Sequence, residues 1–143
     1  MKLLGWLVAF ATLLIVSPVS SASAATVVAQ VSISGQVMQV SVNGIPRYRW
    51  PVSTARAGYH TPTGTFRPQR LEAMWYSSKY ENSPMPHSVF FSGGYAVHGT
   101  GAIRSLGRPA SHGCVRLHPA NAATLYALIA QNGMGNSRIV VTH

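Results

Sequence analysis

Short runs of apolar and β-branched residues in the first half of the chain predict β-strands. Between residues 27 and 66 these runs have strand length and are separated by turn residues. Ser34-Gly35 and Asn43-Gly44 are typical of hairpin turns. We therefore predict a three-stranded meander and a further strand entered through a Thr-Pro turn. The segments are Val27 to Ile33, Val37 to Val42, Ile45 to about Val52, and Thr61 to Phe66.

The pattern changes in the middle of the chain. Residues Arg67 to Pro86 are polar and aromatic without a clear period, and we predict a long loop or flap there. Ser88 to Phe91 and Tyr95 to His98 then carry the β-branched and aromatic residues that favour strands, with Gly93-Gly94 between them. Two more strands are expected here.

The last part of the chain contains one helical pattern. Pro119 suits the first turn of a helix, Leu125, Leu128 and Ile129 recur at helical spacing, and Gly133 suits the end. Arg138 to Thr142 predicts a closing strand. The pattern as a whole predicts a mostly β domain with one helix in its C-terminal half, either a small sandwich or a barrel.

The N-terminal residues have the layout of a secretory signal peptide. Lys2 precedes an apolar run from Leu3 to Val16, and the small-residue triplet Ala22-Ser23-Ala24 follows. A membrane anchor is the alternative, but the run is shorter than the roughly 18 to 20 residues of a spanning helix. We predict that residues 1–24 are removed and that residues 25–143 form one domain. We expect a secreted protein in the periplasm or cell wall that meets the membrane only during export.

The chain is strongly basic. It carries 11 Lys and Arg residues against 2 acidic ones, a formal net charge of +9. A basic balance often indicates nucleic acid, but an exported protein meets other polyanions first, and no Lys/Arg run is present. We expect acidic partners and no nucleic acid. A basic surface that only maintains solubility is the other interpretation.

The stretch Ser111 to His118 reads SHGCVRLH and holds the one cysteine of the chain, Cys114. A single thiol in an oxidising compartment risks uncontrolled oxidation unless it is buried or its reactivity is used. A buried structural cysteine is one interpretation. Gly113 before it and Arg116 after it favour an accessible, electropositive setting, in which we expect a lowered thiol pKa.

Two functional interpretations compete with the structural one. A zinc site would draw its ligands from Cys114, His98, His112 and His118. Structural zinc sites usually recruit two or more cysteines, so we expect no metal and no other cofactor. In the other interpretation Cys114 is a nucleophile and His98 its base, oriented by the backbone carbonyl of Gly99. Backbone N–H groups around Gly113 and Cys114 could then form an oxyanion hole.

The motifs on either side of this loop resemble a known family. His98-Gly99-Thr100, followed by Ser111 to Arg116, resembles the paired signature of L,D-transpeptidase catalytic domains, the YkuD-like family. Leu106 to Pro109 precedes the second block, and Thr61 to Phe66, TPTGTF, resembles an upstream element of the family. The resemblance covers roughly Val27 to Val141.

The resemblance implies a β-sandwich-type catalytic domain that acts on peptidoglycan stem peptides. By that analogy Cys114 attacks the carbonyl of the third residue of a tetrapeptide and forms a thioester, His98 takes the thiol proton, and Gly99 orients His98. The acyl group then passes to an amine of another stem peptide or of a protein. An L,D-carboxypeptidase and a non-catalytic peptidoglycan-binding protein are the alternatives.

Five residues are expected to contact the substrate. By analogy with the family, Ser111, His112 and Gly113 shape the pocket and the oxyanion site. Arg116 either binds a substrate carboxylate or makes a hydrogen bond inside its own loop. Tyr95 forms an apolar wall or packs in the core.

Overall fold

The computed structural model describes residues 15–18 and 25–143 and contains two β-sheets and one α-helix. The predicted signal peptide lies outside the described residues except for 15–18, so its removal stays a prediction. Within the described residues, no helix has the length and apolarity needed to cross a bilayer. The elements are β1 Val27–Ser32, β2 Val37–Val42, β3 Ile45–Pro51, β4 Gly64–Phe66, β5 Arg70–Ser77, β6 Ser83–Ser92, β7 Tyr95–Gly99, β8 Val115–Leu117, α1 Pro119–Asn132 and β9 Ser137–Thr142.

The first sheet has the strand order β3-β2-β1-β9-β4. The predicted meander is present, and its second turn uses Asn43 and Gly44 at φ 51° and 77°. Both central residues have positive φ, which suits the right-handed twist of a hairpin. β9 pairs in parallel with β1 and so brings the end of the chain into the middle of the sheet. Pro46 and Pro51 lie on the edge strand β3, where a missing N–H is tolerated.

The second sheet has the order β5-β6-β7-β8, and it corrects the predicted loop. The segment from Arg67 to Pro86 is mostly a hairpin, in which Trp75 pairs with Met85 and Ser77 with Ser83. The prediction of a long loop was wrong because the outer half of β5 is exposed on an edge and shows no alternation of buried and exposed residues. Only the tip, residues 78–82, forms a turn.

One hydrophobic core is shared by both sheets and the helix. The buried residues of α1 are Ala122, Leu125 and Ile129, and they join the core that β1, β2, β7 and β9 supply. Of the predicted residues, Leu125 and Ile129 are buried and Leu128 is partly buried against the core. Burial of a side chain such as Leu125 stabilises the fold by about 1.5–3 kcal/mol. His118 caps the helix, since its Nδ1 accepts the N–H of Ala120 at 3.1 Å. The prediction of a mostly β fold with one helix is confirmed.

Candidate active site

The parallel pairing of β7 with β8 brings the residues of the candidate active site together. His98 on β7 lies beside Arg116 on β8, and Cys114 immediately precedes β8. The N–H of Ala96 lies 3.4 Å from the Cys114 Sγ, which therefore sits against β7. β8 was not predicted, because three residues are too few to show a period.

A cavity of about 910 Å³ opens at this point. Most of the residues that the sequence singled out line this cavity. Gly99 and Gly113 do not line it, but each is next in the chain to residues that do. The predicted residues that line it are Tyr95, His98, Ser111, His112, Cys114 and Arg116. These residues are up to 21 positions apart in the sequence, and the fold brings them to one cavity.

His98 is buried and held in one orientation. Its Nδ1 lies 2.7 Å from the Gly99 carbonyl oxygen, which can only accept, so Nδ1 carries the proton and Nε2 is free to accept one. Burial lowers the pKa of His98 to about 4, with the charge of Arg116 acting in the same direction and the hydrogen bond to Gly99 opposing them. The imidazole is therefore neutral at neutral pH.

The Cys114 thiol is partly buried on the wall of the cavity. It packs against Met85, Phe90 and Ala96. Burial raises its pKa, while the Ala96 N–H and the charge of Arg116 lower it by less. The expected net lowering of the thiol pKa was wrong, because the cost of desolvating a thiolate exceeds the help from Arg116. The resting site thus holds a neutral thiol and a neutral imidazole.

The loop before Cys114 is fixed by short hydrogen bonds. Ser111 Oγ donates to the Cys114 carbonyl at 2.6 Å and accepts the N–H of Gly113 at 3.0 Å. Gly113 has a φ of 136°, and a Cβ there would lie 2.5 Å from Tyr95 Cε1. Glycine is thus required, and Tyr95 packs directly over it. Of the two backbone N–H groups considered for an oxyanion hole, that of Gly113 is bound to Ser111 Oγ.

An aromatic stack covers one side of the cavity. The His112 ring stacks on Tyr80 with a centroid distance of 4.1 Å, and Tyr59 lies 4.7 Å away on a tilted plane. Arg56 and Lys79 lie over the two tyrosine rings, at 4.9 and 5.5 Å from their centroids. Desolvation and the charges of Arg56, Arg116 and Lys79 lower the pKa of His112. The stack joins the tip of the β5–β6 hairpin to the cysteine loop.

Sequence reasoning missed this stack. Tyr59, Tyr80 and His112 lie in three separate loops, and no periodic or motif signal connects them. Only the fold brings the loops together.

The charged side chains that line the cavity are all cationic. Arg70, Lys79 and Arg116 line it, and none of its lining residues is acidic. The Arg70 guanidinium lies 3.9 Å from the Phe90 ring centroid and is paired with Glu72 at 2.9 Å. Arg116 is half-buried, and its Nη1 is 3.5 Å from the Ala110 carbonyl, at the outer limit of a hydrogen bond. The cavity therefore suits an anionic ligand.

Two of the histidines considered as zinc ligands make other contacts. His118 caps α1 and His112 belongs to the aromatic stack. Among the residues that the structure describes, no three His, Cys, Asp or Glu side chains are grouped as metal ligands.

Comparison with known proteins identifies the family. The model of the YkuD family, the L,D-transpeptidase catalytic domain, matches residues 26–141. This chain belongs to that family. As an L,D-transpeptidase domain it is similar to a curated relative from Bacillus subtilis (strain 168) that bears the name L,D-transpeptidase YkuD. The two are 27% identical over 107 residues, which cover 72% of this chain and 60% of the relative.

Solved structures have the same fold. An L,D-transpeptidase from Mycobacterium smegmatis is similar with a TM-score of 0.73 and 27% identity, over 82% of this chain and 59% of that one. The structure of the L,D-transpeptidase LdtMt1 in complex with imipenem is similar with a TM-score of 0.73 and 25% identity, over 82% and 59% of the two chains. This L,D-transpeptidase domain therefore spans about three fifths of the length of these relatives.

Proposed function

We propose that this protein is a peptidoglycan L,D-transpeptidase in which Cys114 is the nucleophile and His98 the general base. One observation carries the proposal: Cys114 and His98 line one cavity, and the Nδ1–H of His98 is bound to the Gly99 carbonyl, which leaves Nε2 as the proton acceptor. A base oriented in this way is what a cysteine nucleophile with a raised pKa requires.

The first step forms a thioester. Cys114 Sγ attacks the carbonyl of the third residue of a tetrapeptide stem, and its proton moves to His98 Nε2. The C–N bond to the terminal residue then breaks, and His98 returns the proton to the leaving amine. The D-amino acid departs and the tripeptide stays on the sulfur.

The second step transfers the acyl group to an amine. His98 takes a proton from the incoming amine as its nitrogen attacks the thioester carbonyl. The C–S bond then breaks, and His98 passes the proton to the leaving Cys114 sulfur. An amine on another stem peptide gives a wall cross-link, and an amine on a protein attaches that protein to the wall. Water as the acceptor would make the enzyme an L,D-carboxypeptidase.

The cation-lined cavity supports an acidic peptide as the substrate. Arg116 is half-buried, lines the cavity and has only a long contact within its loop, so it has donors to offer to a substrate carboxylate. Tyr95, Ser111, His112 and Gly113 form the wall next to the nucleophile. Such a substrate lies outside the cytoplasm, which agrees with the signal peptide predicted for residues 1–24, and we propose the periplasm or cell wall as the location.

Intact-mass analysis of acylated protein tests the proposal. Residues 25–143 are incubated with a disaccharide tetrapeptide, and in parallel with imipenem, which the related LdtMt1 structure holds. We expect an adduct of the tetrapeptide minus its terminal residue on the native protein and none on Cys114→Ala. An adduct that persists in Cys114→Ala, or no adduct with the tetrapeptide, would refute the proposal. Addition of an acceptor peptide then separates transfer to an amine from hydrolysis.

A further inference from the structure

Thr61 is a buried residue that binds the backbone of the cysteine loop. It is 3% exposed, and its Oγ1 lies 2.8 Å from the Gly113 carbonyl oxygen and 3.0 Å from the Ala55 backbone nitrogen. The Ala55 N–H can only donate, so the single hydroxyl proton of Thr61 must go to the Gly113 carbonyl. Thr61 thus joins the TPTGTF element to the residue before the nucleophile.

The hydrogen bond from Thr61 to the Gly113 carbonyl also fixes the direction of the Cys114 N–H. The peptide unit between Gly113 and Cys114 is planar and trans, so the Gly113 C=O and the Cys114 N–H point in opposite directions. A carbonyl held by Thr61 therefore holds the Cys114 N–H away from Thr61. No protein acceptor within the described residues takes this N–H, whereas the N–H of Gly113 is bound by Ser111.

The atoms packed around Gly113 also restrict its backbone. The His60 carbonyl lies 2.7 Å from the position that a Cβ on Gly113 would occupy, and Tyr95 Cε1 lies 2.5 Å from the same position. Gly113 thus has little freedom to turn while Thr61 holds its carbonyl.

We propose that Thr61 is a positioning residue that aims the Cys114 N–H at the oxyanion of the acylation step. The inference rests on the proposed function and adds to it the residue that orients the oxyanion donor. Removing an oxyanion donor typically slows acyl transfer by about 10²–10³-fold, and a donor that is present but misaligned should cost about 10- to 100-fold.

Two reactions of the same thiol separate this role from a structural one. Acylation by the tetrapeptide develops an oxyanion, whereas alkylation of Cys114 by iodoacetamide does not. For Thr61→Val we expect acylation to slow by about 10- to 100-fold while alkylation keeps the native rate. Thr61→Ser retains the hydroxyl and should keep near-native acylation. Ser137→Ala is the matched control, since it removes a buried hydroxyl with a 2.8 Å bond to the Gly133 carbonyl, remote from the cavity.

Several results would overturn the inference. These are an equal loss of acylation and alkylation in Thr61→Val, native acylation in that variant, or a selective loss in Thr61→Ser. If Thr61→Val does not fold, Thr61→Ala removes the same hydroxyl, leaves room for a water at the Ala55 N–H, and must show the same selective loss. Acylation of the native protein in the same assay tests the proposed function, and its absence would end both proposals, whereas the variants concern Thr61 alone.

Discussion

Acid should destabilise this protein through His98. The side chain is 6% exposed, and burial lowers its pKa to about 4 against the partial opposition of the hydrogen bond to Gly99. In the unfolded chain an imidazole takes up its proton near pH 6.5. Between these two values the unfolded state binds more protons than the folded state. The stability that neutral His98 contributes is therefore complete above about pH 6.5 and is lost as the pH falls towards 4.

The size of this effect follows from the two pKa values. A difference of about 2.5 pH units corresponds to about 3 kcal/mol of unfolding free energy, a large part of the 5–15 kcal/mol of a typical domain. Acid unfolding usually arises from carboxylates, but this sequence has only 2 acidic residues, so His98 should dominate.

Urea unfolding followed by tryptophan fluorescence measures the effect. Between about pH 7.5 and about pH 4.5 we expect the native protein to lose about 2–3 kcal/mol more than His98→Asn, whose amide can replace the Nδ1–H donor. The comparison cancels the contribution of every other titrating group. Equal losses in the two proteins would refute the assignment of His98 as a neutral, buried imidazole.

Two further predictions concern the cysteine loop. Because burial raises the pKa of Cys114, its alkylation rate by iodoacetamide should keep rising above about pH 8.5, and a plateau below neutral pH would contradict this. Gly113→Ala places a Cβ 2.5 Å from Tyr95 Cε1 at a φ of 136°, so we expect a loss of about 2 kcal/mol or more in urea unfolding and loss of acylation. An unchanged unfolding midpoint would contradict this, since it would show that the Tyr95 ring can move aside with no loss of unfolding free energy.

The elements that sequence predicted are those with local signals. The first two strands carry alternating or β-branched apolar residues, and turn residues join the first three strands. The helix has a proline at its start, buried residues at helical spacing and a glycine after its end. β5 was missed because it lies on an edge, with Met74, Trp75 and Tyr76 exposed. β8 was missed because its three residues form a strand only through long-range parallel pairing with β7.

In the candidate site, too, the features with a local sequence signal were predicted and those that depend on long-range contacts were not. Cys114 and His98 were singled out by a motif and by the chemistry of a lone thiol, and the structure places them in one cavity. The direction of the thiol pKa could not be predicted, since it depends on burial of Cys114 against Met85 and Phe90, a long-range contact that carries no local signal in the sequence. The bond from Thr61 to Gly113 likewise spans 52 positions.

The lone cysteine of a chain predicted to be exported now has a physical account. Susceptibility of a thiol to oxidation follows its thiolate fraction, and burial raises the pKa of Cys114 and so lowers that fraction. The same burial keeps His98 free of a proton, so it can accept one when the sulfur attacks. In the absence of substrate, both the Cys114 thiol and the His98 imidazole favour their neutral forms. In the proposed mechanism charge therefore develops only when a substrate carbonyl is present to receive it, and a nucleophile that is inert at rest can persist in an oxidising compartment without a disulfide partner.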